Sequence, residues 1–283
     1  PQTFTTLYVK TVGDNTVMTA AQMKSVADAV LALAAPATVD FSEVVYESTT
    51  FPNSFKSNAN LAGIVFPQNV TATASAAFQK TGMTSVTVLK DISYGSNAFD
   101  SCASLVSVTV EEGVTEIGNY MFQNTKLTDV TLPNSVTKIG ASAFNGCSLT
   151  TINFGQGVKT IENSAFQNCG ELTEIILPDA TETLGQNAFG DCPKLAKISL
   201  GKNMKTLEAY CFVGYSKGCP LLGDIICRAT TPPTLKDDYG TGPFGGGWRP
   251  PKTSPLRTGS STFRNRPIRS AVREPTPTLR GLN

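Results

Sequence analysis

Apolar positions in this chain follow a four-station pattern that restarts every 21 to 23 residues. The first station is Phe, usually preceded by Ala: Phe55, Phe78, Phe99, Phe122, Phe144, Phe166, Phe189 and Phe212. Leu or Met follows, as at Met83, Leu105, Leu127 and Leu149. Ile or Val comes three residues later, and a further apolar residue two beyond that: Val86/Val88, Val130/Leu132, Ile175/Leu177. Positions two apart point to the same side of an extended strand. Pro or Gly then ends several strands, as at Pro67, Pro133, Gly155, Pro178 and Gly201. A second apolar pair returns the chain: Val114/Ile117, Val136/Ile139, Val158/Ile161, Met204/Leu207. Self-similarity at a fixed period in the twenties marks a solenoid. One such coil cannot bury its apolar side alone, whereas stacked coils can. The pattern therefore predicts parallel strands roughly 4.8 Å apart and an internal column of Phe rings.

The full pattern, A-F-x-x-C-x-x-L-x-x-[VI]-x-[LF]-[PG]-x-x-V-x-x-I-G-x-x-A-F, resembles the BspA-like leucine-rich repeat family. Ala165-Phe166, Cys169, Leu172, Ile175, Leu177-Pro178, Leu184-Gly185 and Ala188-Phe189 carry it most fully. The likeness spans residues 50–235. It departs at Thr125, where Cys is usual, at Thr181, where Val is usual, and around Ile92–Gly95, where the return segment is shortened. The expected fold is a β-rich, right-handed leucine-rich-repeat array of short parallel strands with a small α/β N-terminal cap. The resemblance also implies a secreted or outer-surface bacterial protein that binds host proteins or glycans.

Outside the repeats the pattern changes. Residues 1–50 read as a cap. Thr5–Lys10 suits a strand, and Thr19–Ala35 a helix with Met23, Val26, Ala27, Val30, Leu31 and Ala34 at helical spacing. Thr19 is placed to N-cap the helix, and Phe41, Val44 and Val45 suit a further strand. A separate ligand-binding module is the alternative reading of this region. Residues 51–235 carry the repeats, with a loose, Asn-rich first unit and a last unit stretched by Gly214–Gly218. Residues 236–283 form a basic Pro-, Gly- and Arg-rich tail with too little apolar surface to offset ordering entropy. The segment 228–283 carries a net charge of +7, against −6 for residues 1–227. A basic stretch can suit nucleic acid or a membrane surface. Here the abrupt change in Arg usage, and the missing Tyr-Val-Pro capping strand of similar proteins, point instead to a shifted reading frame or a cloning artefact. Sequencing the parent DNA tests that: an adjacent frame lacking such a segment argues against it. We expect no nucleic-acid partner. With no run of 18 apolar residues, we expect no helical membrane span either.

Candidate chemistry is sparse. The chain has no His, which removes Ser-His-Asp and Cys-His catalysis and imidazole metal sites. Glu111-Glu112 and Asp237-Asp238 are the only adjacent acidic pairs, and both fall at expected turns. Gly240–Gly245 matches G-x-G-x-x-G but follows no strand, opens no helix and contains Pro243, so it reads as a loop. Asn69-Val70-Thr71 is a formal glycosylation acceptor. Cys102, Cys147, Cys169 and Cys192 share one station, three residues after Phe, and Cys219 takes the matching place in the longer last unit. Their spacing by whole repeats, with no C-x-x-C, argues against zinc. A disulfide between neighbouring rungs is one reading, and a ladder of small buried thiols is the simpler one. No enzyme, cofactor or metal is expected.

That leaves the outward side of the strands. Ser85 and Thr87, Ser107 and Thr109, Asp129 and Thr131, Thr151 and Asn153, then Glu174, Lys197 and Ser199 alternate with buried stations. They predict a flat polar ribbon, either a merely solvated face rich in good β-formers or a repeated recognition surface. The turns, varying from unit to unit, are expected to offer no continuous surface. The alternative role is a structural spacer that displays another module.

Overall fold

The computed structural model describes residues 5–10, 17–213, 218–229, 231–236, 243 and 261–264. It is a β-solenoid of about eight turns, nearly all of its strands parallel. Each coil runs along a front strand, turns, makes a two-residue rear strand, and reaches the Phe corner. The front strands include Leu61–Val65, Ser85–Val88, Ser107–Val110, Asp129–Thr131, Thr151–Asn153, Glu174–Ile176, Lys197–Leu200 and Asp224–Cys227. The rear strands from Glu116–Ile117 to Thr234–Leu235 pair in one six-stranded sheet.

The core is the predicted aromatic column. Phe78, Phe99, Phe122, Phe144, Phe166 and Phe189 stack with centroids 5.2–5.6 Å apart and planes within 18° of parallel. The first unit departs from this order. Phe51 lies 5.6 Å from Phe78, and Phe55 stacks on Phe51 rather than on Phe78. The corner backbone explains how the column is held. Residues two before and two after Phe take the left-handed region: Asn97 and Ser101, Tyr120 and Asn124, Ser164 and Asn168, Asn187 and Asp191. That region is costly for most L-residues, and short polar side chains tolerate it best. Its return is that the corner N–H groups point along the array. Asn97, Phe99 and Ser101 donate to the carbonyls of Asn119, Met121 and Gln123, one coil on, at 3.0, 2.9 and 2.8 Å. The same triplet of bonds recurs at Tyr120, Phe122 and Asn124, and at Ser164, Phe166 and Asn168.

The cysteines complete this corner. All seven are free and buried. The Sγ of Cys102, Cys147, Cys169 and Cys192 donates to the carbonyl of Phe78, Phe122, Phe144 and Phe166 at 3.1–3.3 Å. Cys219 does the same to Phe189 at 3.3 Å. Thr81 and Thr125, at the same station, donate Oγ1 to the carbonyls of Phe78 and Phe122 at 2.9 Å. Thr125 is thus satisfied within its own coil, whereas each Cys reaches back to the preceding one. Thr181, in the usual Val place, is likewise satisfied, donating to the Val158 carbonyl at 2.9 Å. Burial pushes the Cys102 and Cys169 thiols up, and Cys147 to about 11. We therefore expect slow labelling of Cys102, Cys147, Cys169 and Cys192 by a thiol reagent in the native protein, and rapid labelling after denaturation. Rapid native labelling of all four contradicts this burial. A proton held more tightly when folded adds stability that is complete below the unfolded thiol's value. Denaturant midpoints should therefore fall as pH rises from about 9.0 through about 11.

The cap joins the array through its strands. Thr5–Tyr8, Ala37–Asp40 and Leu61–Val65 pair in parallel as a three-stranded sheet at the start of the front face. The single helix among the described residues, Ala20–Leu31, begins with a capping box between Thr19 and Gln22 and buries Met23, Ala27 and Val30. It ends at Leu31, earlier than the pattern suggested, and both Leu31 and Ala34 are exposed rather than packed. The Asn residues of the first repeat unit, read above as loose, clamp this helix. Asn58 Nδ2 donates to the Ala27 carbonyl at 2.8 Å, and Asn60 Nδ2 to those of Leu31 and Leu33 at 2.9 Å. Asn69, the formal glycosylation acceptor, spends its amide on the backbone of Tyr46 at 2.7 and 2.9 Å.

Two further expectations meet the described residues only in part. Gly214–Lys217 and most of the Gly240–Gly245 motif lie outside them, as does most of the tail. Within the tail, Ser261–Arg264 pairs antiparallel with Asp224–Cys227. The expectation of a wholly unordered tail is corrected there. The last parallel rung otherwise leaves an open sheet edge, and this strand covers it.

Candidate functional site

The front strands place their outward side chains in two rows. One runs Thr6, Thr38, Gly63, Ser85, Ser107 and, further along, Asp129, Thr151, Glu174 and Lys197. The other carries Thr87, Thr109, Thr131 and Asn153. Nine of the ten predicted face residues are exposed, and Lys197 is half-buried. Ser199, by contrast, is buried and does not belong to the open surface. Two apolar members of the second row escaped the sequence reading. Val65 is 41% exposed and Ile176 59% exposed. Strict alternation from buried Ile175 would have found Ile176.

The ribbon is not uniform, contrary to expectation. The front strands pair in blocks, with the ladder unpaired between Leu61–Val65 and Ser85–Val88, between Ser107–Val110 and Asp129–Thr131, and between Thr151–Asn153 and Glu174–Ile176. The expectation that only the front is continuous is also corrected. The rear sheet is the longer unbroken ladder, because each rear turn repeats the same two-residue strand. Its outward row is Glu116, Lys138, Thr160, Thr183, Thr206 and Thr234.

Charge divides the front face. At its far end Lys197 pairs with Glu174 at 2.6 Å, and Arg228 spans two coils by donating to the Leu177 and Leu200 carbonyls at 2.8 and 3.2 Å. Arg228 and Lys202 also approach Asp179 at 3.3 and 2.8 Å, and hydrogen bonding from Lys202 lowers the Asp179 carboxyl below its usual range. Such exposed pairs are screened by solvent, so they fix register more than stability. Near the cap the outward residues are neutral hydroxyls. Beneath them Tyr94, packed 5.6 Å from Phe99, is pushed by burial to about 12 and stays a phenol at physiological pH. Among the described residues no group of three or more His, Cys, Asp or Glu side chains is placed to hold a metal, and no helix is long and apolar enough to cross a membrane.

The fold and this face define a leucine-rich-repeat solenoid with a strand-side surface. The chain belongs to the BspA type leucine rich repeat family, matching six copies of its repeat over residues 37–94 and 92–218. Among solved structures it is similar to a leucine rich cell surface protein of Faecalibacterium prausnitzii, at 24% identity and TM-score 0.47, covering 67% of this chain and 59% of that one. It is also similar to the pneumococcal vaccine antigen PcpA, at 18% identity and TM-score 0.45, covering 68% and 62%. A leucine-rich repeat protein of Eubacterium ventriosum matches at 21% identity and TM-score 0.47, covering 77% and 68%. The chain thus spans less than two thirds of the length of the first two. No curated protein matches it.

Proposed function

We propose that this chain is the recognition part of a non-enzymatic bacterial surface protein, and that its front face binds a host extracellular protein or glycan. The reading draws on family membership and on one observation. The front hydroxyls of Ser85, Thr87, Ser107, Thr109, Thr131 and Thr151 are exposed and make no hydrogen bond to another side chain among the described residues. A weakly charged row of free hydroxyls suits many modest bonds to an extended ligand. Each is worth about 0.5–1.5 kcal/mol net, so affinity comes from repetition.

The test is binding of the purified chain to extracellular-matrix and glycan arrays. Replacing Thr109, Thr131 and Asn153 together with Lys should abolish binding and leave the melting temperature nearly unchanged, because all three are exposed. Binding that survives the triple change moves the site to the cap at residues 1–50. No binding to any array component favours a spacer.

A further inference from the structure

The coil from Phe78 to Phe99 is the shortest of the array, at 21 residues. The residue is lost from the return arc: Val88 precedes its corner Phe by 11 positions, whereas Val110, Leu132 and Phe154 precede theirs by 12. Both faces are interrupted here. At the rear, Ser93 makes only an isolated bridge, to Ala72. The next rear strand, Glu116–Ile117, begins a new sheet. At the front, the strand Ser85–Val88 is unpaired toward Leu61–Val65. A cleft of about 310 Å³ opens there.

Its composition narrows what fits. Phe66, Val86, Leu89 and Tyr94 form a partly exposed apolar floor. Hydroxyls of Thr38, Ser85, Thr87, Ser107 and Thr109 form the rim, and none of them bonds another side chain among the described residues. Gly63 leaves a gap in the outward row between Thr38 and Ser85, since any β-carbon there would lie 2.9 Å from Thr38 Oγ1. The Tyr94 hydroxyl is only loosely engaged, 3.3 Å from the Leu89 nitrogen and 3.5 Å from the Thr87 carbonyl. No charged side chain lines the cleft.

We infer that this cleft binds one pyranose ring of a neutral glycan, an inference that rests on the proposed recognition role of the front face. The volume lies at the lower end of small-ligand sites, at about 300–1,000 Å³, and is too small for a helix or a folded partner. The ligand must present an apolar face to the floor and several hydroxyls to a rim that both donates and accepts. A sugar ring has that division, with C–H groups on its face and hydroxyls around its edge. An apolar peptide side chain would leave the rim unpaired, at a cost of about 1–3 kcal/mol for each group it buries. A sialylated, sulfated or phosphorylated ligand would meet no cation.

The experiment is saturation-transfer NMR and calorimetry on the full chain. The probes are methyl glycosides of glucose, galactose, mannose and N-acetylglucosamine, with sialic acid as the charged comparison. At least one neutral glycoside should bind with a dissociation constant on the order of a millimolar, as a few neutral contacts allow. Thr87→Trp, which fills the cleft from an exposed position, should weaken it at least tenfold. Ser107→Trp should do the same from the opposite rim, and Thr234→Lys, exposed on the rear sheet, should leave it unchanged. Silence of every neutral glycoside overturns the assignment, as does preference for sialic acid, or undiminished binding in both Trp variants with unchanged melting temperatures. If the chain binds matrix or glycan arrays but no free hexose, the cleft assignment falls and the recognition role of the face stands. If it binds a hexose but nothing on the arrays, the cleft stands and the wider recognition role falls.

Discussion

Phe144→Ala should destabilise the protein by about 3–5 kcal/mol, the usual cost of removing a fully buried aromatic side chain. Phe144 is wholly buried, with Phe122 5.5 Å away on one side and Phe166 5.2 Å on the other. The cavity cannot collapse easily. Both neighbouring rings belong to coils whose spacing is fixed by backbone bonds: Phe122 N–H to the Ala143 carbonyl and Phe144 N–H to the Ala165 carbonyl, each 2.8 Å. Because each coil contacts mainly its neighbours, the loss should appear as fraying from the damaged rung and a broadened transition. Chemical denaturation followed by far-UV dichroism measures it. A loss under 1 kcal/mol would mean the column is not the core.

The second large effect is predicted at Cys169. Cys169→Val keeps an apolar group of similar size but removes the donor to the Phe144 carbonyl, now 3.2 Å from Sγ. The Phe144 carbonyl keeps the Cys147 N–H at 3.2 Å, so the loss is that of one bond, about 0.5–1.5 kcal/mol. Cys169→Thr should not recover that bond, because Thr125 at the same station donates to the Phe122 carbonyl of its own coil, at 2.9 Å. If Cys169→Val is as stable as the parent protein, the cysteines pack as plain hydrophobes and the donor role is wrong. If Thr alone is destabilising, the rung has no room for a hydroxyl geometry.

The repeat, the Phe column and the strand face were legible because each depends on periodicity, which sequence displays directly. Phe166, Leu172, Ile175 and Leu177 are all buried as their spacing demands. The cysteines were legible as buried but not as donors. That role depends on a carbonyl 24 to 26 residues away, and only the fact that Thr125 holds the same station hinted at it. Asn58 and Asn60 read as looseness because their partners sit on the cap helix, out of register with any repeat. The cleft was half-legible. The shortened segment at Ile92–Gly95 was visible, but not that the rear ladder would break beside an unpaired front strand, since that depends on how neighbouring coils pair in space.

Hydrogen–deuterium exchange on the full chain, resolved to single amides, tests the central claim that coils are stitched at the Phe corner and open at the short coil. The slowest exchange is expected at the corner amides of Phe99, Phe122, Phe144 and Phe166, each bonded one coil on at 2.8–2.9 Å. Fast exchange is expected at Thr115 and Gly118, the rear amides that face the interrupted rung and find no acceptor among the described residues, whereas Thr137 and Gly140 one coil later are bonded at 2.8 Å. Equal protection of Thr115, Gly118, Thr137 and Gly140, or rapid exchange at the Phe corners, would contradict that claim.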